Sequence, residues 1–206
     1  MSSSVNVEIV TSSQVINYPF KSPGTPPKIT LNGQTIPSPG QLNFPTGFQI
    51  VVFNSVMDIT SPAAILANNY QFVVPYGDTS SWAQTIQYTY AGIVETILTA
   101  GNTNNQIIML ASFGLDLNMC PTNEALSTLL NYGANSKLQY WDTHADCGSQ
   151  VGNSTSWTSF PASYIMIGGS GWGYGNGYET LLTSAGQATL TATLDAVTTG
   201  TALVNA

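Results

Sequence analysis

Gly47-Phe-Gln-Ile-Val-Val-Phe-Asn54 is the stretch on which the fold turns. A strand with one face in water alternates apolar and polar side chains. This run is apolar almost throughout and is bounded by Pro45 and Asn54, as expected of a strand covered on both faces. Gln106-Ile-Ile-Met-Leu-Ala111 is a second short apolar strand. Leu138-Gln-Tyr-Trp-Asp-Thr143 and Ser163-Tyr-Ile-Met-Ile-Gly168 read as further strands, separated by a Ser/Thr/Gly-rich loop that holds Trp157.

Between the core strands the period changes. After Gly77-Asp78 apolar residues recur about every 3.6 positions, and Trp82, Ile86, Tyr90, Val94, Ile97 and Leu98 fall on one helical face. Thr79 or Ser80 can cap that helix and Gly101 can end it, which gives bounds of about 79–100. A second helix spans about 122–132, with Leu126, Leu129 and Leu130 inward and Gly133 as its stop. Upstream, Lys28 to Ile36 reads as two strands around an Asn32-Gly33 turn, and a strand-like segment lies between Ile65 and Val74. Val5, Val7 and Ile9 mark a first strand that looks like an edge, and the Thr/Ala/Leu alternation of Gln187–Leu194 reads as a half-buried edge strand. The fold class expected is α+β: a sandwich of mixed or antiparallel sheets with two main helices, in a single domain over residues 1–206.

Charge narrows the function. Hydrophobic residues make up 43% of the chain, charged residues 6%, and the formal net charge is −7. Arg is absent, so Lys21, Lys28 and Lys137 are the only permanent cations. Neutralising several phosphates takes a cluster of Lys or Arg, which argues against nucleic acid and anionic membranes as partners. No apolar run approaches the ~18 residues of a membrane span. The amino terminus has neither the basic nor the apolar segment of a secretory signal, so a signal was either removed or never present.

Cys120 and Cys147 are either one disulfide or two buried thiols. A disulfide would close a loop of about 27 residues and contribute ~3 kcal/mol. Asn153-Ser154-Thr155 fits an N-glycosylation acceptor at Asn153.

Four separated segments resemble, in order, the ILEI/PANDER-like domain family, named for the interleukin-like inducer of epithelial–mesenchymal transition. Ile29-Thr-Leu-Asn-Gly33 resembles the family's valine-x-valine-asparagine-glycine strand, and Gly47–Asn54 its glycine-isoleucine-asparagine-valine-valine strand. Ile107-Ile-Met-Leu110 followed by Asn123-Glu124-Ala125 resembles its strand-to-helix segment. Trp141-Asp142-Thr143 and Ile165-Met-Ile-Gly-Gly169 resemble its last two strands. The likeness covers residues 27–180 and leaves 1–26 and 181–206 as additional terminal strands. It implies a non-enzymatic extracellular or secretory-lumen domain, and a glycan-binding stem-domain relative implies lectin activity. Export by another route or a cytoplasmic location is the alternative. In that relative a basic residue precedes the aspartate where Trp141 stands here, and its paired acidic residues are replaced by Phe113-Gly114, so a ligand would be held differently.

Two constellations suit such a ligand. Trp141, Asp142, His144 and Asp146 form the densest polar cluster, and on a strand Asp142, His144 and Asp146 would share one face. That spacing makes them candidate metal ligands, though the chain holds no other His. Trp172, Tyr174, Asn176 and Tyr178 alternate with glycines in Gly168–Tyr178; aromatic rings offer a platform to sugar C–H groups while amides bond hydroxyls. The same run reads equally as a surface loop that packs its rings on the sheet.

No nucleophile elbow accompanies the single His, so catalysis is not expected, and no cofactor is expected either. The expected partner is a neutral glycan or glycoprotein. A self-assembling structural protein, paired through its terminal strands into a homo-oligomer, is the alternative from another class. Metal binding through Asp142, His144 and Asp146 is a third.

Overall fold

The structure, a computed structural model, describes residues 4–14, 25–39, 46–54, 68–74, 82–100, 106–116, 119–144, 161–195 and 204–205. Eleven strands and three helices are described: β1 Ser4–Ser13, β2 Lys28–Leu31, β3 Gln34–Ile36, β4 Thr46–Phe53, β5 Asn69–Val74, α1 Trp82–Thr99, β6 Ile107–Phe113, β7 Leu115–Asp116, α2 Asn123–Asn131, α3 Ser136–His144, β8 Pro161–Gly169, β9 Tyr178–Leu182, β10 Gly186–Asp195 and β11 Val204–Asn205. None of the described helices is long and apolar enough to cross a membrane.

β4 is buried at all eight positions, and that double burial organises the molecule. Phe48, Ile50 and Val52 project into one apolar cluster, with Tyr90, Ile93 and Ile97 of α1 and Leu138 and Trp141 of α3. Val51 and Phe53 project into a second, with Val5, Val7 and Ile9 of β1 and Ala192 and Leu194 of β10. The protein therefore has three layers. A five-stranded sheet, sheet A, runs β11-β10-β1-β2-β3; a six-stranded sheet, sheet B, runs β5-β4-β6-β8-β7, with β9 also paired to β8; the helices cover the far face of sheet B. Every strand pairing described is antiparallel. The chain is a β-rich α+β sandwich.

Local chemistry explains most elements. Asn32 and Gly33 both take positive φ, 47° and 80°, which is what a two-residue hairpin between β2 and β3 requires. The Thr122 side chain accepts a hydrogen bond from the Ala125 amide and so caps α2. Gly133, at φ 108°, ends it.

Four readings of the sequence are corrected. β1 is no edge: over its whole length it pairs with β10, from Ser4↔Asp195 to Ser13↔Gly186, and β2 pairs with its other side. β10 is no edge at its end either, because Thr193 and Leu194 pair with β11. Leu98 is 55% exposed rather than on the buried face of α1, where Ile93 stands instead. Residues 138–143 belong to a helix, α3, and not to a strand. The proposed caps of α1, Thr79 and Ser80, and its stop, Gly101, lie outside the described residues, as does Trp157.

Candidate functional site

The candidate site sits where the β8–β9 loop meets α3. Asn135 precedes α3 at the N-cap position, its carbonyl accepting from the Gln139 amide, while the second half of the helix is poor in helix formers. The carboxylate that caps the helix comes from Glu179 on β9. One carboxylate oxygen accepts from the amides of Asn135 and Lys137 at 2.9 and 3.2 Å, and the other from Leu138 at 2.9 Å. These are amides that the first turn of a helix leaves without intrahelical partners, and negative charge is favoured at that end. The same carboxylate accepts the Tyr164 hydroxyl at 2.9 Å. Burial, then the neighbouring Glu179 carboxylate, holds the Tyr164 phenol well above its usual range. Both oxygens of Glu179 are thus committed to holding α3 and Tyr164 in place.

Leu138 and Trp141, spaced i, i+3 on α3, are fully buried, as is Ala134 just before the helix. The Trp141 ring lies between Tyr90 and Tyr164, at centroid distances of 6.4 and 5.7 Å, and Tyr90 in turn contacts Phe48 at 5.5 Å. Trp141 is 1% exposed and so cannot meet a ligand at the surface, which corrects its assignment as a binding residue. Asp142, His144 and Asp146 share one face only on a strand. With Asp142 and His144 on a helical backbone, a period of two no longer aligns them, and the metal reading loses its geometric basis. Asp146 lies outside the described residues. Among the described residues no group of three potential metal ligands comes together.

The β8–β9 loop is fixed by its backbone. The Gly173, Gly175 and Gly177 amides donate to the carbonyls of Asn131, Ala134 and Gly133, at the junction of α2 and α3. Gly133 and Gly177 touch so closely that a Cβ on Gly133 would lie 2.7 Å from the Gly177 nitrogen. Glycine at this contact is a packing requirement, not a sign of mobility.

The rings of this loop divide. Trp172 and Tyr178 are half-buried and pack on the cluster between the sheets, and burial raises the Tyr178 phenol above its usual value. Tyr174 stands out, 55% exposed, with its hydroxyl donating to Gln139 Oε1 of α3 at 3.1 Å. Asn176 is exposed beside it, its amide donating to the Trp172 carbonyl at 2.6 Å. The structure thus brings together Tyr174 and Asn176 from the predicted set, gives Trp172 and Tyr178 supporting places beneath, and adds Gln139, which the strand reading of 138–143 had hidden. Tyr140, on the same helix, is 44% exposed.

Cys120 is disulfide-bonded, and the chain's only other cysteine, Cys147, lies outside the described residues together with Asn153. No protein-family model and no curated protein matches the chain.

Proposed function

We propose that the protein is a non-enzymatic, lectin-like domain of the ILEI/PANDER-like kind, which takes a neutral glycan or glycoprotein on the surface formed by the β8–β9 loop and α3. One observation carries this: an exposed ring, Tyr174, whose hydroxyl is held by Gln139 and whose loop is pinned by backbone hydrogen bonds. A fixed aromatic face beside amides costs little conformational entropy on binding and offers both the apolar platform and the hydroxyl partners a sugar needs. The absence of Arg and the three lysines in a chain of net charge −7 favour a neutral ligand over an anionic one. The bonded Cys120 favours an extracellular or secretory-lumen location, where disulfides persist.

The test is a broad glycan array probed with the full chain and with Tyr174→Ala and Gln139→Ala. Binding to a neutral glycan that both variants weaken is the expected result. Silence across the array, or binding that survives loss of the Tyr174 ring, would reject the reading.

A further inference from the structure

A separate face of the molecule carries an unexplained group. On the solvent side of sheet A, Asn6, Glu8, Thr30, Gly33, Thr191 and Thr193 line an open concavity of about 400 Å³, within the range of ~300–1,000 Å³ usual for small-ligand sites. The β-register assembles it. Asn6 is opposite Thr193, and Glu8 is opposite Thr191 on one side and Thr30 on the other. Directly opposed side chains on one face of an antiparallel pair lie about 5 Å apart, so a carboxylate flanked by two hydroxyls sits at the centre.

Thr30 is 8% exposed, and its Oγ1 is buried with no hydrogen-bond partner. Buried polar atoms are nearly always satisfied, and an orphan hydroxyl costs stability for as long as nothing meets it. A single χ1 step exchanges the hydroxyl and methyl of a threonine, so the orphaned hydroxyl of Thr30 can be presented to the concavity. Around it, the Thr193 hydroxyl donates to Asn6 Oδ1 at 3.0 Å, which leaves the Asn6 Nδ2 donor for another partner. Among the described residues the Glu8 carboxylate has no hydrogen bond or ion pair.

We propose that this concavity is a second binding site, for a neutral polyhydroxylated ligand of the saccharide class. Glu8 accepts hydrogen bonds from adjacent ligand hydroxyls, Asn6 donates one, and Thr30 and Thr191 do either. An anion meets the Glu8 charge with no cation among the lining side chains. An ammonium ligand, which only donates, leaves the Asn6 donor unused. The site is built from strands outside the loop and helix of the preceding reading, and it stands or falls separately.

The experiment is amide chemical-shift mapping on the full chain, titrated with methyl glycosides of glucose, galactose, mannose and N-acetylglucosamine, and with spermidine as the cationic probe. At least one glycoside is expected to shift the Asn6, Glu8 and Thr191 amides. Glu8→Gln and Thr191→Val, both surface changes, should weaken that binding by about tenfold or more. Thr30→Val should weaken it too while raising the melting temperature, because it removes the orphan hydroxyl without changing the side chain's shape. Tyr174→Ala should leave these shifts untouched, which separates this site from the loop. No glycoside response at these amides up to high millimolar concentration overturns the proposal, as does a response to spermidine alone. A Thr30→Val variant that binds as well as the parent overturns it too.

Discussion

Sheet A covers one face of sheet B with aliphatic side chains set by simple alternation: Val5, Val7 and Ile9 from β1, Ile29 and Leu31 from β2, Ala188, Ala192 and Leu194 from β10. The helical layer covers the other face with aliphatic side chains too, Ile86, Ile93, Val94 and Ile97 of α1 among them, but adds large rings and single polar contacts between residues far apart in the chain. The Tyr90 hydroxyl donates to the Met119 carbonyl at 2.7 Å, that of Tyr132 to Gln106 at 2.5 Å, and that of Tyr164 to Glu179, which also caps α3. The first cover is non-directional burial alone; the second adds a few directional contacts to such burial. The candidate glycan surface rests on the second, through Gln139 on α3.

Trp141→Ala carries the largest expected effect. Truncating a fully buried aromatic side chain costs about 3–5 kcal/mol, measured as the loss of unfolding free energy in urea. Ile9→Ala, its counterpart under sheet A, falls in the range of about 2–5 kcal/mol. Where the losses land separates the two covers. Native-state hydrogen exchange should show Trp141→Ala releasing amides of α3 and β9 while β1 and β10 stay protected. An equal loss of protection in sheet A would mean that the layers open as one unit, and the comparison would fail.

The same difference explains what could be read from the sequence. The apolar run of β4, the Val5/Val7/Ile9 alternation and the Asn32-Gly33 turn are local patterns, and each formed as local physics dictates. α3 did not announce itself, because Tyr140, Trp141 and Thr143 favour strands and the carboxylate that caps the helix arrives from 41 to 44 residues downstream. A signal was there: Leu138 and Trp141 are spaced i, i+3, as on one buried helical face. Of the candidate site, the exposed ring of Tyr174 and the amide of Asn176 were legible in the glycine-aromatic run. Gln139 was not, since its place depends on a helix capped from elsewhere in the chain.

Glu179→Ala is the next step down. It removes the acceptor of three amides at the start of α3 and of one phenol, and we expect a loss of about 2–3 kcal/mol, with Glu179→Gln in between because it keeps one oxygen. Helical far-ultraviolet dichroism should fall with either change, by roughly a helix of nine residues at most. The Tyr174 hydroxyl should lose its Gln139 anchor at the same time, so glycan binding should weaken without any change at the surface itself. If α3 persists in Glu179→Ala, then packing of Leu138 and Trp141 alone suffices, and the helical layer is less dependent on single contacts than its geometry implies.

Tyr164→Phe is the mildest of these changes, and pH makes it informative. The variant loses one hydrogen bond to a carboxylate, worth about 1–2 kcal/mol at neutral pH. Burial pushes the Tyr164 and Tyr90 phenols well above their usual value of 10.0. A phenol whose value is raised by folding contributes stability that is fully present below pH 10, where it is protonated in both states. That stability is lost as pH climbs from there towards the folded value, since only the unfolded chain ionises. In that window each such tyrosine lowers unfolding free energy by about 1.4 kcal/mol per pH unit. Urea unfolding above pH 10 should therefore show a steep alkaline decline in the parent and a shallower one, by about that amount per unit, in Tyr164→Phe. Identical slopes would show that Tyr164 ionises as readily folded as unfolded. The helical layer would then be wetter than the aliphatic cover beneath sheet A in the very place where its rings pack most closely.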